Sequence, residues 1–191
     1  NMQIVNCWVC ELPNSIELIG GENIVVKNCQ LGAQPTGITC KVQEVNKLSF
    51  INNQVYPDGR ENLVLDACNN CVIEGNNFKS YYNGILVLNG NDNTVNKNIF
   101  WLTGAVQNQL LDHGDDFGII NVKGNNNMVA SNSLSCEWAY AGAVTVNAVQ
   151  GTGNVFKNCF VDNLESYRVF LVNAQTEVSN CVSSDKVSIV E

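Results

Sequence analysis

A chain of 191 residues with a net charge of −8, only 15% charged residues and no cluster of Lys or Arg is long enough for one sizeable domain. It lacks the basic footprint of nucleic-acid and anionic-membrane binders. No run reaches the roughly 20 apolar residues of a membrane span, and the start, NMQIVNCWV, has no positively charged region before an apolar one as a signal peptide would, so neither nucleic acid nor membrane is expected as a partner.

Polarity comes from asparagine instead of ions, and the asparagines are ordered. The pattern apolar-x-x-Asn-x-apolar begins weakly in IVNCWV and VVKNCQ. It is clear in FINNQV (50–55), IEGNNF (73–78), VNKNIF (95–100), VASNSL (129–134) and VFKNCF (155–160), and weakens again in EVSNCV. The recurring residue is taken as Asn6, Asn28, Asn53, Asn76, Asn98, Asn132, Asn158 and Asn180, at intervals of 22, 25, 23, 22, 34, 26 and 22. About ten residues after each comes a second strand-like run: SIELIG, GITCKV, NLVLDA, GILVLNG, GIINVKG, AVTVNAV and RVFLVNA. A unit of two short β-branched strands with Gly, Asn or Asp at its corners cannot bury its apolar side alone. Stacking such units at about 4.8 Å solves that. The expectation is an all-β, right-handed parallel β-helix of about eight coils, a single domain over 1–191 with an inserted loop at about 101–117 within the 34-residue interval. Because the chain opens almost on a repeat Asn with no cap before it, it is expected to be part of a longer protein.

In such a helix the Asn at each coil can bond its copies above and below, as stacked amides do in cross-β structures. Nine cysteines cannot pair completely within one chain. Cys7, Cys29, Cys159 and Cys181 each follow a repeat Asn and read as a column of small stacking side chains. Cys7-x-x-Cys10 and Cys68-x-x-Cys71 have the spacing of zinc half-sites, but the repeat accounts for them better, and no metal is expected.

Strand alternation turns Ile16 and Leu18 inward and Glu17 outward. It also turns out Thr39 with Lys41, Val64 with Asp66, and Thr145 with Asn147. Asn121 and Lys123 are expected outside the core, and Leu86 and Leu88 on the outer face with Val64. A face of polar groups at regular spacing suits an extended sugar chain, and its apolar members suit cover by a loop or another subunit. In LLDHGDDFG the lone His113 beside Asp112, Asp115 and Asp116 reads as an acidic surface loop. Ca²⁺ ligation and His-Asp acid-base work are the alternatives.

With the repeat laid out, NSIELIG, NNQVYPDGRENLVLDACNNC, YYNGILVLNG and DDFGIINVKGNNNMVASN follow the order and close spacing of the inulin fructotransferases, glycoside hydrolase family 91, which the chain resembles over nearly its whole length. It corresponds to about the C-terminal half of a family member. The resemblance implies a homotrimer with sites between subunits; a fructan polymer lies outside the cell, which favours secretion, whereas nine mostly unpaired cysteines favour a reducing or anaerobic setting. It implies cofactor-free cleavage of the β-2,1-linked fructan inulin, in which a fructose hydroxyl attacks the neighbouring anomeric carbon and releases difructose dianhydride. Two carboxyl groups normally share the acid and base roles in such chemistry. The resemblance puts the essential Glu on Glu17 and its partner Asp, eleven residues upstream, on Asn6. It suggests Glu11, Arg60, Asp115 and Asn121 for substrate binding, joined by Lys123 from its place outside the core; Asn121 stands where a His is expected and Val87 where an Arg is, and Glu11 is the nearest substitute for the missing acid. A non-catalytic carbohydrate-binding or structural trimeric β-helix is the alternative.

Overall fold

The computed structural model describes residues 1–103, 116–137, 143–163, 166, 168–183 and 186–190. His113, Asp112 and Asp115 lie outside these residues, as does most of the inserted loop. The fold is a right-handed parallel β-helix, with no α-helix among the described residues, and no helix there is long and apolar enough to cross a membrane.

Each turn has three faces. The first carries the N-terminal halves of the long strands Ile16–Lys27 and Ile38–Ile51, then Glu61–Asp66, Leu86–Asn89, Ile120–Val122, Val146–Ala148, Phe170–Asn173 and Val187–Val190. The two long strands bend and continue into the second face, which also holds Met2–Val5, Val72–Glu74, Thr94–Asn96, Met128–Ala130, Val155–Lys157 and Glu177–Ser179. The third face is a separate seven-stranded sheet from Trp8–Leu12 to Phe160–Asp162. The first two faces therefore stack eight rungs and the third seven. Every pairing is parallel, as in the run Glu17, Lys41, Val64, Val87, Asn121, Asn147, Leu171 and Ser188 on the first face.

Inward positions fill a continuous core of Leu, Ile, Val and Phe. Phe50, Phe78 and Phe100 stack with ring centroids 6.1 and 5.0 Å apart, in the range favourable for offset aromatic pairs.

The register corrects the expected repeat by one residue. Val5, Lys27, Ile51, Glu74, Asn96, Ala130, Lys157 and Ser179 pair in one column. The next column is thus Asn6, Asn28, Asn52, Gly75, Lys97, Ser131, Asn158 and Asn180, and all eight have φ between 52° and 68°. This is the left-handed corner that lets the chain turn from the second face into the third, a conformation Gly and Asn accept most easily. The amide ladder lies one position on, at Asn53, Asn76, Asn98 and Asn132. There the side-chain oxygens of Asn76, Asn98 and Asn132 each accept from the backbone N–H and the amide of the rung before, at 2.8–3.0 Å, and Asn53 Oδ1 accepts the Cys29 N–H at 2.9 Å. Each Nδ2 also donates to a carbonyl at 2.9–3.1 Å, Asn53 to Val26, Asn76 to Phe50, Asn98 to Ile73 and Asn132 to Val95. The same column continues as Cys7 and Cys29 at one end and Cys159 and Cys181 at the other. Asn6, Asn28, Asn158 and Asn180 are corner residues and not members of the ladder.

A second buried amide stack, at the corner between the first and second faces, runs through Asn93, Asn127 and Asn154. Cys71 ends it by donating its N–H to Asn93 Oδ1 at 2.8 Å. The two CxxC pairs therefore sit on different rungs, and Cys68 and Cys71 are both buried.

Candidate functional site

The strand carrying Glu17 is fixed at its start by polar side chains. Asn14 Oδ1 accepts the N–H of Ile38 at 3.1 Å, and Ser15 Oγ donates to the carbonyls of Gly32 and Val9 at 2.6 and 3.0 Å. Ile16 and Leu18 then point into the core, and alternation aims Glu17 out. Its carboxylate meets Lys41 Nζ, one rung along, at 3.2 Å, with the two side chains 43% and 32% exposed. An ion pair this exposed contributes at most about 1 kcal/mol. It orients Glu17 more than it stabilises the fold.

From Lys41 a shallow cavity of about 240 Å³ runs along the first face, lined by Lys41, Gln43, Val64, Asp66, Val87, Asn89 and Lys123. Val64 and Val87 form an apolar floor, and Asn89 Nδ2 donates to Asp66 Oδ1 at 2.7 Å. A second cavity, about 310 Å³, lies on the other side of Glu17 and is lined also by Glu22. Glu22 is a carboxylate that sequence reasoning missed. Gly20 and Gly21, at φ 69° and 111°, break the strand alternation between the two glutamates, so no period linked them.

The other expected residues separate. Asn6 is an exposed corner residue at φ 58° whose N–H donates to Lys27 O. Glu11 has φ 65° at a register irregularity between Val9 and Leu12, and it lines a third cavity with Trp8 and Cys10. Arg60 Nε lies 3.8 Å from Glu61 Oε1. Glu61 was not singled out by the sequence, yet burial raises its carboxyl above the ordinary value against the opposing charge of Arg60.

Asn121, expected outside the core, is 3% exposed. It keeps its outward register, but its side chain folds back to Gly118, accepting from the N–H at 2.9 Å and donating to the carbonyl at 2.8 Å. Thr39 and Thr145 likewise hold outward register yet are buried. Thr145 Oγ1 accepts from Asn163 at 2.7 Å. Leu86 and Leu88 are buried core residues, and the outward residue between them is Val87. Lys123 is exposed at the far end of the 240 Å³ cavity. The structure thus brings together Glu17, Lys41 and Lys123 along one face, leaves Asn6 and Glu11 away from it, and sets Arg60 just before the first-face strand Glu61–Asp66.

The sequence model of the periplasmic copper-binding protein (NosD) family matches residues 1–180. A search of curated protein sequences finds no match. Among solved structures, the DFA-IIIase of Arthrobacter chlorophenolicus A6 without its lid superposes with a TM-score of 0.84 at 21% identity, over 100% of this chain and 52% of that one. The same enzyme in complex with GF2 gives 0.82 at 21% identity, covering 100% and 52%. In complex with DFA-III it gives 0.77 at 21%, covering 100% and 54%. Likeness at this identity shows the fold alone, and the chain spans about half the length of these proteins.

The family's description names copper. A divalent ion takes three or four ligands, and no group of three or more His, Cys, Asp or Glu side chains among the described residues could hold one.

Proposed function

The chain belongs to the NosD family, and we propose that it forms the sugar-binding solenoid of a fructotransferase-like enzyme, cleaving a β-2,1-fructan by intramolecular fructosyl transfer to release difructose dianhydride. The observation that carries this reading is Glu17. It is an outward carboxylate paired with Lys41, and Lys41 in turn lines a polar cavity that has an apolar floor. Three rung spacings separate Lys41 from Lys123, about 14 Å, room for an oligosaccharide whose hydroxyls meet Gln43, Asp66, Asn89 and the two ammonium groups while ring faces lie on Val64 and Val87. The solved DFA-IIIase structures in complex with GF2 and with DFA-III share the fold, which supports this substrate class.

In this reading Glu17, ionised beside Lys41, takes the proton of the attacking fructose hydroxyl. Its negative charge also faces the oxocarbenium-like centre that develops as the glycosidic bond breaks. Asn6 cannot supply the partner proton, since an amide does not exchange one near neutral pH, and Glu22, sharing a cavity with Glu17, is the candidate donor. The half-buried Val64 and Val87 and the exposed Ile19 support burial of this face in a homotrimer. The family's periplasmic description supports a place outside the cytoplasm.

Incubation with inulin and with DFA-III, followed by chromatography of the products, tests the proposal. Turnover is expected in the native chain, with a loss of about 10²- to 10⁴-fold in Glu17→Gln and a smaller loss in Glu22→Gln. Asn6, an amide where the resemblance expects a carboxylate and a corner residue away from Glu17's face, favours a second reading as a non-catalytic carbohydrate-binding β-helix. Fructan binding without turnover, unchanged in Glu17→Ala, is the outcome that selects it.

A further inference from the structure

The outer side of the third face is ordered along the helix axis. Counted from Trp8–Leu12 as the first rung, this sheet carries an outward aromatic ring on every odd rung: Trp8 on the first, Tyr56 directly after Gln54–Val55 on the third, Trp101 on the fifth and Phe160 on the seventh. The outward positions of the even rungs hold none; they are Gln30 with Gly32, Asn77 with Lys79, and Ser133 with Ser135. The residue between each such pair, Leu31, Phe78 or Leu134, is core, so packing of the solenoid does not require rings outside it. Trp8 is nonetheless 78% exposed and Phe160 52%. Tyr56 lies back across Gly32: its hydroxyl donates to Gln30 Oε1 at 3.0 Å, and a Cβ at Gly32 would meet the Tyr56 Cβ at 3.3 Å. Lys79 Nζ stands 4.8 Å from the centre of the Trp101 ring, a cation–π contact that holds the ring in place. At the first rung, Trp8, Cys10 and Glu11 line a cavity of about 290 Å³.

We propose that the third face binds an extended, uncharged β-1,4-linked glycan laid along the helix axis, cellulose being the test ligand. Two rungs span about 9.4–9.8 Å. In a two-fold β-1,4-linked ribbon every second sugar turns the same ring face to one side, and the length of such a pair is close to two rungs. One sugar then falls on each rung, and alternate pyranoses stack their C–H faces on Trp8, Tyr56, Trp101 and Phe160. The hydroxyls along the ribbon meet Gln30, Gln54, Asn77 and the two serines, whose amides and hydroxyls both donate and accept, and Glu11 adds an acceptor at the Trp8 end. Charge fits the same ligand. The chain carries −8, yet the outward positions of this face hold one cation, Lys79, and one anion, Asp162. A balanced strip on an acidic protein repels a polyanion and accepts a neutral chain. A β-2,1-linked fructan has no two-fold ribbon to match the odd rungs, so this surface stands independently of the fructan reading of Glu17.

The test measures depletion of the full chain from solution by microcrystalline cellulose, with far-ultraviolet circular dichroism confirming the fold of each variant. The native chain is expected to be retained, and to be displaced by soluble cellohexaose but not by inulin. Trp8→Ala and Tyr56→Ala should each weaken retention about 10-fold, while Thr94→Ala, on the second face, leaves it unchanged. The double variant Ser133→Phe/Phe160→Ser moves one ring from the seventh rung to the sixth at constant composition. It should bind as weakly as Phe160→Ser alone, whereas non-specific adsorption to exposed rings would not register the move. No retention of the folded native chain, with or without a self-association that Trp8→Ala abolishes, overturns the proposal. So does displacement by inulin as effective as by cellohexaose, retention undiminished in both alanine variants, or full retention of the shifted variant.

Discussion

Glu17 and Glu61 are carboxylates in opposite circumstances. Glu17 is exposed and paired, and alternation alone accounts for its direction; its interest lies in the cavities on either side. Glu61 is largely shielded, its side chain 14% exposed, with Arg60 as a distant 3.8 Å partner, and burial raises its pKa. An acid whose pKa is raised on folding binds protons more tightly in the folded state. Its favourable contribution is complete below the unfolded pKa and is lost as pH rises through the folded one. Glu61→Gln should therefore match the native chain near pH 3 to 4 and become progressively more stable than it toward pH 7, as read from melting temperatures across that range. A native chain that gains on the variant as pH rises would mean that Arg60 outweighs desolvation. Glu61 was not legible in the sequence because its partial burial follows from the path of neighbouring rungs, which no local pattern encodes, and Glu22 was not because Gly20 and Gly21 interrupt the alternation that exposes Glu17.

At the level of the strand and its corner, a short sequence pattern determined most of the architecture but left its phase open. FINNQV and VFKNCF both carry an Asn after two apolar-spaced positions. Yet Asn53 is the inward ladder residue, whereas Asn158 is the αL corner and Cys159 takes the inward place. Where both positions are Asn, as at Asn52 and Asn53, nothing local distinguishes them; only hydrogen-bond register does. Leu86 and Leu88 were misplaced in the same way, since in ILVL every residue is apolar and parity cannot be read. The ladder is worth testing by removing its middle. Asn76→Ala leaves the Phe50 carbonyl and the Asn53 N–H without their partners, at about 1–3 kcal/mol for each buried orphan. A loss of about 2–5 kcal/mol is expected, read by denaturant midpoint. Cys159→Asn, which offers Asn132 an amide partner in place of a sulfur at 4.0 Å, should leave stability unchanged or raise it. Equal losses in the two variants would show that the column tolerates amides by packing and not by bonding.

Over the whole solenoid, each rung touches only its neighbours, so stability is a sum of rung and interface terms and the ends open before the middle. The cysteines sample that axis. Cys7 and Cys10 lie on the first turn, Cys29 and Cys40 on the second, Cys68 and Cys71 on the third, with Cys136, Cys159 and Cys181 toward the far end; only Cys7, Cys10 and Cys136 are partly exposed. Cys40 and Cys68 are equally inaccessible in the folded state, and burial raises the thiol pKa of both, so neither reacts without an opening. In the reduced chain, mass-resolved alkylation in native buffer should label Cys7, Cys10 and Cys136 first and Cys181 and Cys159 next, through fraying of the last turns. Cys68 and Cys71 should come last, at a rate that follows the global unfolding equilibrium with added urea, whereas the terminal rates should depend on urea only weakly. If all six buried thiols instead react together with one urea dependence, the rungs unfold as a single cooperative unit, and the amide stacks couple the turns more strongly than nearest-neighbour contact alone would allow.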